Sequence, residues 1–259
     1  MSDSPHDPVR LRQLVQTAMD AILVRHDREE VRRFFHPDFV QHNPWAEDGG
    51  AHVEAMCDFT FGVEMRRWVI QGDLVAYHGL YTAPNPLGDH PLLCVDVWRV
   101  QGGQIVEHWD ALAPMPAEAA EGMLAGPGDG LADVPPARVA KHAADVRRLL
   151  EIGVRNADEG VVRSLLAPGF TMHRPDAAPG KGTDALLAWV NAARPAVEVR
   201  ETIASGDLVL AQLLVRSADA EQVVYDLYRF APNGTITDRW SVAQDRLPLA
   251  EAVNPHPHF

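Results

Sequence analysis

The sequence predicts an α+β protein made of two tandem copies of one domain, each with helices followed by an antiparallel sheet. Three observations support this prediction. An ordered set of residues recurs at an offset of about 131, helical periodicity gives way to strand-like segments, and a segment rich in Pro and Gly separates the copies. With 259 residues, the chain is long enough for two domains that each bury a core.

The repeat consists of identical residues in the same order. The motif Gly-Asp-Leu-Val occurs at 72–75 and again at 206–209. Other recurring pairs are Asp27 and Asp158, Val31 and Val162, Phe39 and Phe170, His42 and His173, Asp96 and Asp226, Arg99 and Arg229, and Trp109 and Trp240. The offset varies only slightly along the chain, which indicates short loop insertions within one shared topology.

The repeat also sets the predicted domain boundaries. We expect the first domain at 9–113 and the second at 138–245, with a linker at 114–137 and a C-terminal tail at 246–259. The linker contains the run Gly-Pro-Gly-Asp-Gly, a composition that does not sustain a regular element.

The first copy begins with helices. Apolar residues within 11–23 follow the spacing of one helix face, and Asp7 is placed as the N-cap. A second helix begins after Asp27 and continues until Pro37 stops it, and a weaker one is expected at 52–59.

Short segments rich in β-branched and aromatic residues come next. They lie at 65–70, 74–81, 92–100 and 104–112, with turn residues between them. This order of helices first and strands afterwards favours one antiparallel sheet that folds over the helices.

Composition excludes several classes of partner. The net charge of −13 leaves no basic stripe for nucleic acid, and no apolar run approaches the length of a membrane span. Cys57 and Cys94 lie in apolar surroundings without CxxC spacing, which favours buried reduced thiols. Because residues 1–8 also lack the character of a secretory signal, we expect a cytoplasmic protein.

Four blocks in the first copy resemble a known family. They are Gln-His-Asn-Pro at 41–44, Gly-Asp-Leu-Val-Ala-Tyr-His at 72–78, Val-Asp-Val-Trp-Arg at 95–99 and Gly-Gln-Ile-Val-Glu-His-Trp-Asp at 103–110. With these blocks in this order, the chain resembles the SnoaL-like polyketide cyclases of the NTF2-like superfamily. The resemblance implies cone-shaped domains, each with a pocket at the open end of a curved sheet. It also implies an intramolecular pseudo-dimer, since such domains commonly pair through their sheets, and a further homodimer is possible.

Strand alternation indicates which side chains can share that pocket. Residues two apart in a strand point to the same side, so His108 and Asp110 point together. An antiparallel arrangement can bring His78 and Asp96 to the same cavity, with His42 at its rim. These five are the predicted catalytic residues. The predicted substrate-binding residues are Trp98, Trp68, Tyr77, Asn43 and Cys94.

These residue types suit proton transfer beside a carbonyl group. Removal of an acidic C–H proton needs a base, and the oxygen that becomes negative needs a hydrogen-bond donor. We expect Asp110 or Asp96 to be the base, because burial strengthens a carboxylate base, with His78 and His108 as donors or proton shuttles. Alternatively, Asp96 pairs with an arginine to hold the sheet together, and His42 only bonds the turn that follows it.

The second copy lacks the same titratable groups. The residues in place of His78, His108 and Asp110 are Gln212, Arg239 and Ser241. None of the three titrates near neutral pH, which predicts a structural partner in place of a second active domain. The alternative is a second pocket that binds an anionic group through Arg239.

The predicted function is a cofactor-independent acid/base enzyme, an aldol-type cyclase or isomerase, acting on a small polyketide-like or aromatic carbonyl compound in secondary metabolism. No cofactor is expected, because the sequence has no glycine-rich nucleotide loop and no serine-nucleophile motif. One alternative is a non-catalytic binding or scaffolding protein. Another is a metalloenzyme that uses His42, His78, His108 and an aspartate, although no short ligand spacing supports a metal site.

Overall fold

The computed structural model describes residues 6–115, 123–130, 133–174, 177–217, 220–256 and 258, with the backbone alone at 177–179. The chain divides into two compact units. The first is Met1–Pro114 together with Leu247–Phe259, and the second is Met115–Arg246. Residues 116–122 and 131–132 of the expected linker lie outside the described part of the chain.

The described part of the first domain has three helices. They are α1 (Pro8–Leu23), α2 (Arg28–Phe34) and α3 (Gly50–Ala55), the last followed by a 3₁₀ turn at Met56–Asp58. The predicted caps of α1 and α2 are confirmed. Asp7 accepts a hydrogen bond of 2.9 Å from the Val9 N–H, and Asp27 accepts one of 3.0 Å from the Glu30 N–H.

Five strands form the sheet of the first domain. They are β1 (Phe35–Gln41), β2 (Val63–Gln71), β3 (Leu74–Tyr81), β4 (Leu92–Gln101) and β5 (Gln104–Pro114), in the spatial order β1-β5-β4-β3-β2. Four of them pair antiparallel as expected, but β1 pairs parallel with β5, so the sheet is mixed.

Strand β1 corrects the expectation that the second helix continues to Pro37. That helix ends at Phe34, and the chain passes directly into a strand that contains Pro37. Proline cannot donate to a ladder hydrogen bond, and it is tolerated here because β1 lies at the edge of the sheet.

The second domain repeats this topology. Its helices are α4 (Pro136–Arg148), continued by a π-helical turn at Leu149–Val154, α5 (Glu159–Leu165) and α6 (Gly182–Ala193). Its strands are β6 (Leu166–Arg174), β7 (Ala177–Lys181), β8 (Ala196–Ser205), β9 (Leu208–Arg216), β10 (Glu221–Phe230) and β11 (Ile236–Asp245), in the order β7-β6-β11-β10-β9-β8. Strand β6 is parallel to β11, as β1 is to β5, and β7 is an additional edge strand.

Each domain has its own core between its helices and one face of its sheet. In the first domain, the core-facing side of the sheet carries Trp68, Val75, Tyr77, Cys94 and Trp98, which pack with Leu11, Val15 and Ile22 of α1. Full burial of a side chain such as Val15 contributes about 1.5–3 kcal/mol. The opposite side of the sheet carries Ala76, Val95, Val97 and Ala111, which are also buried.

Two further expectations concern the cysteines and the membrane. Cys57 and Cys94 are both buried and neither is in a disulfide, as the sequence predicts. Among the described residues, no helix has the length and apolar character needed to cross a lipid bilayer.

Candidate functional site

The first domain contains a cavity of about 310 Å³ between its helices and the core-facing side of its sheet. Much of its wall is apolar, with contributions from Met19, Ile22, Phe39, Met56, Phe61 and Leu112. Trp45, Phe59 and Leu87 also line the cavity and are 47%, 43% and 53% exposed, so they mark its mouth. Both the volume and the apolar wall fit a small-molecule site.

A cluster of Asp96, His108 and Asp110 lies at the wall of this cavity. In the pairing of β4 with β5, Asp96 stands opposite Asp110 and Trp98 opposite His108, so all four side chains point to the core-facing side. His108 and Asp110 line the cavity, and Asp96 is fully buried behind them. One nitrogen or oxygen atom from each of the three lies within 4.8 Å of the others.

His108 is held by two acceptors. Its Nδ1 lies 3.0 Å from Gln41 Oε1, and its Nε2 lies 3.1 Å from Asp96 Oδ1. Gln41 Oε1 also accepts from the backbone N–H of Asn43 at 2.9 Å, which identifies it as the oxygen of the amide. Since both ring nitrogens face acceptor oxygens, the hydrogen bonding favours the doubly protonated ring. The ring is also stacked on Trp98, with a centroid distance of 3.7 Å.

Tyr81 completes the surroundings of Asp96. Its hydroxyl donates to Asp96 Oδ1 at 2.7 Å. Burial and the neighbouring Asp96 carboxylate raise the pKa of Tyr81 well above its usual range, so the hydroxyl keeps its proton and remains a donor. Asp96 Oδ1 is thereby shared between Tyr81 and His108.

The surroundings of the Asp110 carboxyl group raise its pKa. Its Oδ2 accepts a 2.8 Å hydrogen bond from the Asn43 side chain, and its Oδ1 has no hydrogen-bond partner among the described residues. Burial raises the pKa of Asp110 from 3.8 to about 6. The charge of His108 opposes this rise, the Asp96 carboxylate adds to it, and the Asn43 hydrogen bond again opposes it.

The expected convergence of His78 with this cluster is not what the structure shows. His78 pairs opposite Val95 on β4, whereas Tyr77 pairs opposite Asp96, so His78 points away from the cavity. It is buried, and its Nδ1 lies 3.1 Å from the Arg67 guanidinium. The expectation that a shared cavity places His78 beside Asp96 is therefore wrong.

Among the five residues expected to bind substrate, only Trp98 and Asn43 line the cavity. Trp68 and Cys94 are in the apolar core but are not part of the cavity wall. Trp68 instead packs against the Tyr77 ring, at a centroid distance of 5.2 Å. Tyr77 lies on the core-facing side opposite Asp96, behind the wall rather than on it.

His42 belongs to a different group of side chains. Its Nε2 lies 2.9 Å from Glu107 Oε1, and its ring is stacked on Trp109 with a centroid distance of 4.7 Å. The Arg99 guanidinium lies over the Trp109 ring, 5.3 Å from its centroid. Arg99 also donates to Glu107 at 2.7 Å. The alternative of an ion pair between Asp96 and this arginine is therefore not what the structure shows.

The second domain repeats the arrangement around His42 with His173, Trp240, Arg229 and Asp238. Its presence in both copies indicates a structural role for His42.

The second domain has a buried ion pair where the first domain has the cluster of Asp96, His108 and Asp110. Asp226 pairs opposite Ser241, and Tyr228 opposite Arg239, in the register that places Asp96 opposite Asp110. Arg239 lies 2.8 Å from Asp226, and both are buried. Although burial disfavours a charged guanidinium, Asp226 and Tyr228 raise the pKa of Arg239, so it remains charged. Gln212 stands on β9 opposite Tyr225, as His78 stands opposite Val95.

Sequence reasoning missed two polar residues of the site, Gln41 and Tyr81. Gln41 belongs to the Gln-His-Asn-Pro block, and its alternation with Asn43 could have placed both side chains together. Tyr81 shares a face of β3 with Tyr77, so alternation along that strand held the signal for it.

Comparison with known proteins identifies one family. The model of the SnoaL-like domain matches residues 15–108 and again 146–239. A candidate ketosteroid isomerase from Kribbella flavida is 12% identical, with 42% of this chain and 82% of that chain covered and a TM-score of 0.39. A candidate SnoaL-like polyketide cyclase from Jannaschia sp. is 19% identical, with 43% and 90% covered and a TM-score of 0.39.

An NTF2-like protein of unknown function from Mesorhizobium loti is 21% identical, with 43% of this chain and 97% of that chain covered and a TM-score of 0.38. A search among proteins of curated function finds no match. The two matches to the family model fall on the two copies of the repeat and together cover more than half of the chain. The chain therefore belongs to the SnoaL-like family, as a tandem pair of SnoaL-like domains.

Proposed function

We propose that the first domain is a cofactor-independent acid/base enzyme that acts on a small, largely apolar carbonyl compound, by an aldol-type cyclisation or an isomerisation. The observation that carries this proposal is the buried carboxyl group of Asp110 at the wall of an apolar cavity, with its pKa raised to about 6. A carboxyl group with this pKa is mostly ionised at neutral pH and is a stronger base than a free aspartate.

The proposed reaction begins with a proton transfer. The Asp110 carboxylate removes a proton from the carbon next to the substrate carbonyl, and the C–H electron pair forms the C=C bond of an enolate, with the negative charge on oxygen. In an isomerisation, Asp110 returns the proton to a different carbon. In an aldol cyclisation, the enolate carbon attacks a second carbonyl, whose oxygen then takes the proton. No electrons leave the substrate in either case.

His108 supports this base electrostatically. Its hydrogen bonds to Gln41 and Asp96 fix the ring and favour its charged form next to Asp110. A positive charge at this position stabilises the Asp110 carboxylate, which is why it counteracts the effect of burial on the pKa. The same charge favours an enolate over a neutral ketone, because the enolate is negative.

Trp98 offers a donor to the oxygen that becomes negative. Trp98 lines the cavity, and its indole N–H is buried without a hydrogen-bond partner among the described residues. An indole nitrogen can only donate, so an electron-rich oxygen is the partner that it lacks. The flat ring also suits contact with an aromatic substrate.

The cavity indicates a class of substrate. A volume of about 310 Å³ with apolar walls fits a compound of one to three rings, such as an aromatic or polyketide-like ketone. A role in secondary metabolism, in the cytoplasm, is part of the same proposal. The second domain is proposed to be a structural partner in an intramolecular pseudo-dimer, because an arginine and a serine replace His108 and Asp110 there.

One alternative function has a specific observation in its favour. The ligand atoms of Asp96, His108 and Asp110 are close enough to bind one divalent cation. The hydrogen bonds around His108 favour a proton on each ring nitrogen, whereas a metal ligand needs an unprotonated nitrogen. Acid/base chemistry therefore agrees better with the arrangement.

Deuterium exchange tests the proposal without knowledge of the natural product. The protein is incubated in D₂O with β-tetralone, an apolar bicyclic ketone with acidic C–H bonds, and deuterium incorporation is followed by mass spectrometry. We expect saturable exchange that survives dialysis against a chelator. Binding of the ketone without exchange would favour the non-catalytic alternative. Exchange that is lost on dialysis and restored by zinc would favour the metalloenzyme.

A further inference from the structure

The C-terminal tail contributes to the first domain although it follows the second in sequence. Leu247–Phe259 belongs to the same compact unit as Met1–Pro114. Within it, Asn254 is only 4% exposed, while its neighbour Val253 is 57% exposed. A buried asparagine between two exposed neighbours, Val253 and Pro255, needs hydrogen-bond partners.

Asn254 uses its side-chain amide as a clamp. The Nδ2 atom donates to the backbone oxygen of Asn43 at 2.6 Å and to that of Ala46 at 2.9 Å. An amide nitrogen carries two hydrogens, so both are used. The side-chain oxygen accepts from the His256 N–H at 3.0 Å, which fixes the orientation of the amide.

Two neighbouring contacts reinforce this attachment. The Val253 N–H donates to the Pro44 oxygen at 2.9 Å. His256 Nε2 lies 3.0 Å from Asp48 Oδ2, and Asp48 Oδ1 accepts from the backbone N–H of Gln41 at 2.8 Å. The tail thus contacts the segment 43–48 at both of its ends.

That segment carries part of the candidate site. The side chain of Asn43 donates to Asp110, and its Oδ1 accepts from the Trp45 N–H at 2.8 Å. Trp45 and Ala46 line the cavity. Asn254 therefore binds the backbone of residues whose side chains reach the base and the cavity wall.

We propose that Asn254 is a positioning residue for the active site of the first domain: by clamping the segment 43–48, it keeps the Asn43 amide in hydrogen-bond contact with Asp110. The catalytic consequence rests on the proposed function, whereas the structural consequence does not. Without Asn254, the Ala46 carbonyl loses the Asn254 donor and the Asn43 carbonyl keeps only the backbone N–H of Ala46, at 3.2 Å, so the segment relaxes away from the position that serves Asp110.

Nuclear magnetic resonance of the full-length protein tests the structural part. The probe is the side-chain amide of Asn43, whose proton resonance should be shifted by its hydrogen bond to Asp110. We expect Asn254→Ala to move this resonance most of the way towards its position in Asp110→Ala. Val253→Ala is the matched control, because it trims an exposed side chain and keeps the backbone hydrogen bond. It should leave the resonance in place.

A second variant covers the case in which Asn254→Ala does not fold. Asn254→Asp keeps the size and the bond to the His256 N–H, but it presents oxygen instead of two N–H groups to the carbonyls. It should produce the same displacement. If a folded Asn254→Ala or Asn254→Asp protein leaves the Asn43 resonance unchanged, the positioning role is refuted, whatever the outcome of the activity assays.

Turnover tests the catalytic part. In the deuterium-exchange assay, we expect Asn254→Ala to lower kcat about tenfold, because small displacements of a catalytic contact have effects of this order or larger. The KM for β-tetralone should change less than twofold. In the Asn43→Ala background, Asn254→Ala should add little, since both act through one contact. Full additivity would overturn the proposal. A shifted resonance in a protein without any exchange would instead count against the proposed function alone.

Discussion

Replacement of Asp110 by asparagine should separate activity from stability in the first domain. Asparagine keeps the shape of the side chain and can still accept from Asn43, but it cannot accept a proton. We therefore expect deuterium exchange to fall by about 100-fold or more, the range for loss of a general base. We also expect the variant to be more stable than the parent at neutral pH.

The size of the stability gain follows from the pKa of Asp110. Burial raises it to about 6, against 3.8 for a free aspartate. The folded protein therefore holds this proton more tightly than the unfolded chain, and stability falls as the pH rises from about 3.8 to about 6. At 1.36 kcal/mol per pH unit, the cost reaches about 3 kcal/mol and stays constant above pH 6. Asparagine does not ionise and so avoids this cost.

The assay is urea unfolding of parent and variant at several pH values between 4 and 7, together with a pH–rate profile of exchange. The difference in free energy of unfolding should grow by up to about 3 kcal/mol over this range in favour of Asp110→Asn. The parent's rate should fall below about pH 6, where the base becomes protonated. Ser241→Ala, at the equivalent position of the second domain, is the matched control and should change neither quantity.

Two results would refute this reasoning. Exchange at the parental rate in Asp110→Asn would show that another group is the base, with Asp96 as the remaining carboxyl group of the cluster. A stability difference that does not change between pH 4 and 7 would show that Asp110 does not have a raised pKa in the folded protein.

Three further predictions follow from the same structure. Trp98→Phe should lower kcat for exchange about tenfold and alter KM little, because it removes one donor to the enolate oxygen and keeps the aromatic wall; a tenfold rise in KM with unchanged kcat would argue against a donor role. His78→Gln should leave the exchange rate within about twofold of the parent, since His78 points away from the cavity; a large loss would place it in the reaction. Arg239→Ala should destabilise the second domain by about 3–5 kcal/mol in urea unfolding, because Asp226 is left buried without its cation, while exchange at permissive temperature is retained; unchanged stability would show that this ion pair is unimportant.

Local signals in the sequence predicted much of the fold. Asp7 and Asp27 cap their helices as their positions indicated, and β3 has the predicted bounds of 74–81. Strand β1 was missed because its pairing partner, β5, is more than 60 residues away. Local propensity around Pro37 says only that the helix ends, and it gives no sign of a parallel partner.

The candidate site shows the same division between local and long-range information. Alternation within β5 placed His108 and Asp110 together correctly. It failed for His78, because both faces of β3 carry buried apolar residues, so the pattern does not reveal which face meets the helices. Only the register with β4 decides that Tyr77, and not His78, stands opposite Asp96.

The contacts of Asn254 could not be predicted from the sequence, for a different reason. It lies outside the repeat, in a segment without periodicity, and its partners are backbone carbonyls of Asn43 and Ala46. Backbone carbonyls occur at every residue and leave no compositional trace.

The attachment of the tail has a consequence for the order of events during synthesis. A ribosome that adds roughly 5–20 residues per second reaches Asn254 about 7–28 s after Pro114. During this interval the first domain has all of its own strands and helices, but its segment 43–48 has no clamp. Nascent chains that stall or are cleaved within the second domain would thus carry a folded but incompletely assembled pocket. The proposed activity would then reach its full level only after Asn254 has been made, which couples the first domain to synthesis of the second.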